Sequence, residues 1–117
     1  MPATSDFVSL TPVRLADTRP TPVDAGGTLE VPIAGLGGVP ADAKAVVANV
    51  TLVTADAAGF ATVFPCGTVP DASTANYRGV TNEAVANEVI AKLSPTGSIC
   101  VFTNAAANVL VDVVGHL

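Results

Sequence analysis

Ala43-Lys44-Ala45-Val46-Val47-Ala48-Asn49-Val50-Thr51-Leu52-Val53-Thr54 is the stretch that decides the fold. Its β-branched side chains suit an extended backbone, and apolar residues fall on both parities, so it reads as a central strand. Upstream, Thr28-Leu29-Glu30-Val31-Pro32-Ile33-Ala34 alternates, with Leu29, Val31 and Ile33 on one face. Pro32 shares the other face with Glu30 and lacks a backbone donor, which predicts an edge strand. Downstream, 59–65, 85–93, 98–103 and 108–114 are further strand-like runs, with shorter ones at 7–10, 13–18 and 75–78.

Turn clusters separate these runs: Asp24-Ala25-Gly26-Gly27, Gly35 to Pro40, Asp56 to Gly59, Pro70-Asp71 and Pro95-Thr96-Gly97. The spacing predicts a single all-β domain over 1–117, an antiparallel β-sandwich (jelly-roll or Ig-like) of about eight or nine strands. Residues 1–6 are expected to be disordered or carried over from expression. Residues 82–93 hold enough Ala for a helix, but Val85, Val89 and Ile90 alternating with Asn87 and Glu88 favour a strand. An Ala-Asn pair recurs in apolar runs at Asn49, Asn87 and Asn108, and a threefold repeat would make a β-trefoil or barrel the alternative.

Composition narrows the function classes. Half of the 117 residues are hydrophobic, aromatics are only 4% and Trp is absent, so Ala, Val, Leu and Ile build the interior. The net charge of −5, with five scattered basic residues, offers no stripe for phosphates, so nucleic acid is not an expected partner. It equally disfavours an anionic lipid surface, and no apolar run is long enough to span a bilayer. Met1 to Asp6 lacks the basic start and apolar stretch of a signal peptide. If the protein is secreted, the expectation is a mature domain separated from its leader.

Few residues suggest chemistry. In Val13-Arg14-Leu15-Ala16-Asp17-Thr18-Arg19, strand parity places Val13, Leu15, Asp17 and Arg19 on one face. The reading is a buried or semi-buried ion pair in which Arg19 grips Asp17 or Asp112; an anion or sugar site at Arg19 is the functional alternative. Asp112 could only act as a glycosidase acid with a second carboxylate across a sugar, for which Asp17, Glu83 and Glu88 are the candidates. His116, the sole histidine, is penultimate and expected to be frayed or appended, a poor base for a Ser–His–Asp triad. No zinc, calcium or phosphate-loop motif occurs, so no cofactor is expected. Asn49-Val50-Thr51 matches a glycosylation acceptor but lies inside the most strand-like run.

Ser73-Thr74-Ala75-Asn76-Tyr77-Arg78 is the most ligand-like segment. An exposed Tyr77 between Asn76 and Arg78 would stack on a sugar ring and bond its hydroxyls. The competing reading is a short edge strand with Tyr77 packed on the core.

Cys66 and Cys100 occupy matching settings, Phe64-Pro65-Cys66-Gly67 and Ile99-Cys100-Val101-Phe102, each with a phenylalanine two positions away. Residues two apart share a strand face, so each cysteine would lie beside a ring on a buried surface. That points to a structural disulfide between strands and an oxidising compartment; two free buried thiols are the alternative.

Phe7-Val8-Ser9-Leu10-Thr11-Pro12-Val13-Arg14-Leu15-Ala16-Asp17-Thr18-Arg19, Val47-Ala48-Asn49-Val50-Thr51, Phe64-Pro65-Cys66-Gly67, Ile99-Cys100-Val101-Phe102-Thr103 and Val111-Asp112-Val113-Val114-Gly115 run in this order along the chain. Together the chain resembles a module found, often in tandem or beside enzymes, in secreted and cell-wall-associated proteins of actinobacteria. The resemblance implies an extracellular, non-catalytic β module with Cys66 bridged to Cys100 and with Asp17, Arg19 and Asp112 as motif positions. The chain departs from the pattern at Gly115-His116-Leu117, where such modules have an aromatic after the glycine, and at Thr74-Ala75-Asn76, where they have Asn-Leu-Asn. The functional expectation is a binding or adhesion module for cell-wall or environmental polysaccharide, with neighbouring domains as other partners. A structural spacer or self-associating module, a homo-oligomer, is the alternative.

Overall fold

The structure, a computed structural model, describes residues 7–54 and 57–117. The expectations for residues 1–6 and for the turn at Asp56 lie outside the described residues. Eight strands follow one another: β1 (Val8–Asp17), β2 (Gly27–Pro32), β3 (Ala45–Thr54), β4 (Gly59–Pro65), β5 (Ala75–Tyr77), β6 (Ala84–Lys92), β7 (Ser98–Thr103) and β8 (Ala107–His116). All pairings are antiparallel, in two four-stranded sheets of order β1-β8-β3-β6 and β2-β7-β4-β5. The pairs β1/β8, β2/β7, β3/β6 and β4/β5 form one long nested hairpin, and β8 on β3 and β7 on β4 roll it into a sandwich. That is the jelly-roll order, and it sets aside the Ig-like, trefoil and barrel alternatives.

The Val-rich run is the central strand β3, flanked by β8 and β6. Its Val46, Ala48, Val50 and Leu52 pack with Val31, Ile33, Ile99, Val101, Val109, Val111 and Val113 between the sheets, each at most 3% exposed. Two-residue alternation puts these side chains on one face of each strand, which is why a core poor in aromatics closes without large rings. Within residues 82–93, Ala84–Lys92 form a strand and not a helix, and β2 is an edge with Glu30 and Pro32 outward, as its alternation predicts.

Two expectations about the ends of the chain are corrected. The separate runs 7–10 and 13–18 form one strand, because the register against β8 slips between Ser9 and Val13 and lets Thr11-Pro12 pass as a bulge. His116 is not frayed: it pairs with Val8 and Val46, and Leu117 continues the ladder through Lys44 N–H to Leu117 O and Leu117 N–H to Ala45 O.

Buried threonines fasten the connections. Thr54 Oγ1 donates to Val80 O at 2.6 Å, Thr103 Oγ1 to Asp24 O at 3.1 Å, and Thr62 Oγ1 to Ala72 O. Each hydroxyl, at most 2% exposed as a residue, satisfies itself by pinning a loop carbonyl.

Candidate functional site

The ion-pair segment differs from the strand-parity reading. A second register shift, between Arg14 and Ala16, resets the alternation of β1. Arg14 and Asp17, three apart, therefore share the outer face, with Arg14 Nη1 3.8 Å from Asp17 Oδ2. Arg14, passed over at the sequence level, grips Asp112 in the next strand with Nε–Oδ1 at 2.7 Å and Nη2–Oδ2 at 3.1 Å. Arg19 forks onto its neighbour Asp17 with Nε–Oδ1 at 3.0 Å and Nη2–Oδ2 at 2.8 Å, and its backbone N–H donates to the same carboxylate. The expected Arg19–Asp17 pair is present, but it lies at the surface with both arginines about half exposed and only the carboxylates partly covered, so the pair is not buried. Side-chain and then backbone hydrogen bonds from Arg19 hold the Asp17 carboxyl down at about 2. The remaining glycosidase candidates are also committed or distant: Glu83 is forked by Arg78, which pulls its carboxyl below the ordinary range, and Glu88 faces solvent on β6.

The Tyr77 segment takes the second of its two readings, a short edge strand with Tyr77 packed on the core and not a stacking platform. Tyr77 is 5% exposed and its hydroxyl donates to Ala105 O, with Phe60 O at 3.3 Å. Gly59, opposite Tyr77 in the ladder, leaves room for this contact: a Cβ there would lie 2.7 Å from Ala105 Cβ and 3.1 Å from Tyr77 Cε2. Arg78 is tied to Glu83 with Nη2–Oε2 at 2.7 Å. Asn76 alone stays free on the outer face, in register with Phe60.

The disulfide is formed: Cys66 is bridged to Cys100, with Cα atoms 4.9 Å apart. Cys100 projects from the outer face of the second sheet, opposite Phe64 across the β4/β7 ladder. The bridge anchors the start of the β4–β5 connection, residues 66–74, which crosses that face as a strap. At its far end Thr74 N–H donates to Ala61 O, Val63 N–H donates to Thr74 Oγ1, and Asn87 Nδ2 donates to Thr74 O. A bridge of this kind fits an extracellular protein.

Beneath the strap lies a groove of about 480 Å³, within the size range of ligand sites. Its floor is Phe60 and Phe102, half-buried rings with centroids 6.1 Å apart and tilted by 46°. Its wall is Val69, Pro70, Asp71, Ala72 and Ser73. Asp71 supplies carboxylate acceptors and Ser73 a hydroxyl beside an apolar ring surface, the combination that suits a hydroxylated ring with one apolar face. The sequence carried a signal for this site: Phe60 shares parity with Phe64 and Phe102 with Cys100. A Cys66–Cys100 bridge pairs β4 with β7 and brings those faces together.

Among the described residues no cluster of three His, Cys, Asp or Glu could hold a metal ion, and no helix is long and apolar enough to cross a membrane. No family model, curated protein or solved structure matches the chain.

Proposed function

We propose that this chain is an extracellular, non-catalytic binding module whose ligand is carbohydrate of the cell wall or environment, held on the Phe60/Phe102 groove. The observation that carries this reading is the aromatic floor beside Asp71 and Ser73, walled by a strap that a disulfide anchors at its start. Sugar C–H bonds stack on ring faces while hydroxyls need a few fixed acceptors and donors, and the groove supplies both. Asn76, next to Phe60 across the ladder, is the one member of the Asn76-Tyr77-Arg78 segment that remains available to a ligand. The reading is non-catalytic because Asp17, Asp112 and Glu83 each spend their charge on a guanidinium outside the groove. The resemblance to secreted actinobacterial modules points the same way.

The test is affinity electrophoresis through soluble polysaccharides together with a glycan array. Binding that is lost in Phe60→Ala/Phe102→Ala and weakened in Asp71→Asn, but kept in Tyr77→Phe, supports the assignment. Retained binding in the double phenylalanine variant, or no binding to any glycan, refutes it.

A further inference from the structure

A sandwich of two open sheets has four edge strands, and an exposed edge invites strand addition. Three of the four edges here are blunted. β1 carries Pro12 and two register shifts, β2 is short and ends in Pro32, and β5 has only three residues. The fourth, β6, runs nine residues without proline and without a shift in its register against β3. Among the described residues nothing pairs with its outer side.

The backbone of β6 is set for pairing at alternate positions. Thr54 N–H donates to Glu83 O at 2.9 Å and Leu93 N–H to Lys44 O at 3.0 Å, both in register with the β3/β6 ladder. The odd residues between them therefore turn their peptide groups toward β3, and Ala84, Ala86, Glu88, Ile90 and Lys92 turn theirs to the open edge. The side chains of these same even residues stand on the outer face of the sheet, all exposed, with Ile90 70% exposed. Neither Glu88 nor Lys92 makes an ion pair within the protomer among the described residues.

We infer that β6 is a homodimerisation edge that pairs antiparallel with β6 of a second copy, with Ile90 on the two-fold axis. In this register Glu88 of each copy lies opposite Lys92 of the other, and the two Ile90 side chains meet at the centre. Even residues face even residues in this register, and those pairs turn their peptide groups across the junction, while Val89 faces Ala91 with both peptide groups turned back to β3. Other registers lose this complementarity. Centring on Glu88 sets two carboxylates face to face, and centring on Val89 sets Glu88 against Ile90. Opposite charges directly across a ladder attract and like charges there repel, so the charge order Glu-x-Ile-x-Lys selects the register. The contact is isologous and closed, so it stops at a dimer. Phe7, Val47, Val114 and Leu117 flank Ile90 on the same face and extend the apolar centre. This inference stands apart from the ligand reading, since the groove lies on the other sheet.

The test is sedimentation over a concentration series of the disulfide-intact chain, with amide exchange on the same samples. The expected species grows with concentration to twice the 11.6 kDa protomer. Glu88→Lys and Lys92→Glu each turn two attractive pairs into two repulsive ones and weaken the dimer by about tenfold, while the double swap restores it. The amides of Glu88, Ile90 and Lys92 gain protection as the dimer forms, whereas those of Val89 and Ala91 are protected throughout. A monomer at every concentration overturns the inference, even one whose β6 edge takes up another extended peptide. So does a dimer that ignores the charge swaps or leaves the even amides exchanging.

Discussion

Replacing Cys66 and Cys100 together by alanine removes the covalent cross-link between the strap and β7. The bridge spans 34 residues of sequence. Closing a loop of that length restricts the unfolded chain by about 4 kcal/mol at 25 °C on the loop-entropy estimate. Strand pairing partly replaces the lost link in the folded state, because Phe64 and Cys100 already face each other in the β4/β7 ladder. The cost therefore falls on the unfolded side, and the variant should fold to the same jelly roll at 25 °C. For a domain of this length the unfolding entropy is about 0.25 kcal/mol/K, so the expected fall in Tm is about 15 °C. Calorimetry with far-UV dichroism checks both parts: the lower midpoint and the unchanged native spectrum. A fall of under about 5 °C would refute the entropic reasoning, and so would a variant unfolded at 25 °C, since that requires a native-state role beyond the link.

Tyr77→Phe leaves the buried Ala105 carbonyl without its donor and should cost about 1.5 kcal/mol, read as a lower urea midpoint at unchanged m-value. The Asp17 carboxyl should titrate near 2, below its ordinary 3.8, and Arg19→Ala should return it toward that value in a carboxyl-carbon NMR titration. Because the folded pKa lies below the unfolded one, the pair's contribution is complete above about pH 4 and is lost as pH falls toward 2. The pair is at the surface and screened by solvent, so this acid loss should be small beside global unfolding.

Strand identity was legible wherever one face is buried throughout. Leu29, Val31 and Ile33 announced β2, and Pro32 announced that it was an edge; Val46 to Leu52 announced the central strand. Parity failed where the ladder slips. The bulge between Arg14 and Ala16 reverses which residues face outward, and no composition rule marks it, so Arg14 was hidden and Asp17 was sent inward. Tyr77 left two readings open, and parity decides between them: Asn76 describes the outer face of β5, while the tyrosine at the other parity faces in. The groove needed the pairing of β4 with β7, which the two cysteines imply but the order of strands along the chain does not. Phe60 and Phe102 are 42 residues apart and meet only because β7 lies beside β4.

The two proposed surfaces have a joint consequence that follows from strand geometry. Side chains directly opposite in an antiparallel ladder stand on the same side of the sheet. Pairing β6 with β6 of a second copy therefore keeps the outer faces of both β1-β8-β3-β6 sheets on one side. Both β2-β7-β4-β5 sheets then lie on the opposite side, and with them both Phe60/Phe102 grooves face the same way. Two shallow grooves held on one side of a continuous sheet can engage one polymer at once, and the second contact is then intramolecular. The dimer should consequently bind a long polysaccharide far more tightly than it binds a short fragment of the same sugar. Glu88→Lys alone should erase that difference while leaving fragment affinity unchanged, because residue 88 is remote from the groove lining. If polymer and fragment affinities fall together in that variant, the grooves do not act as a pair, and the common-face geometry is wrong.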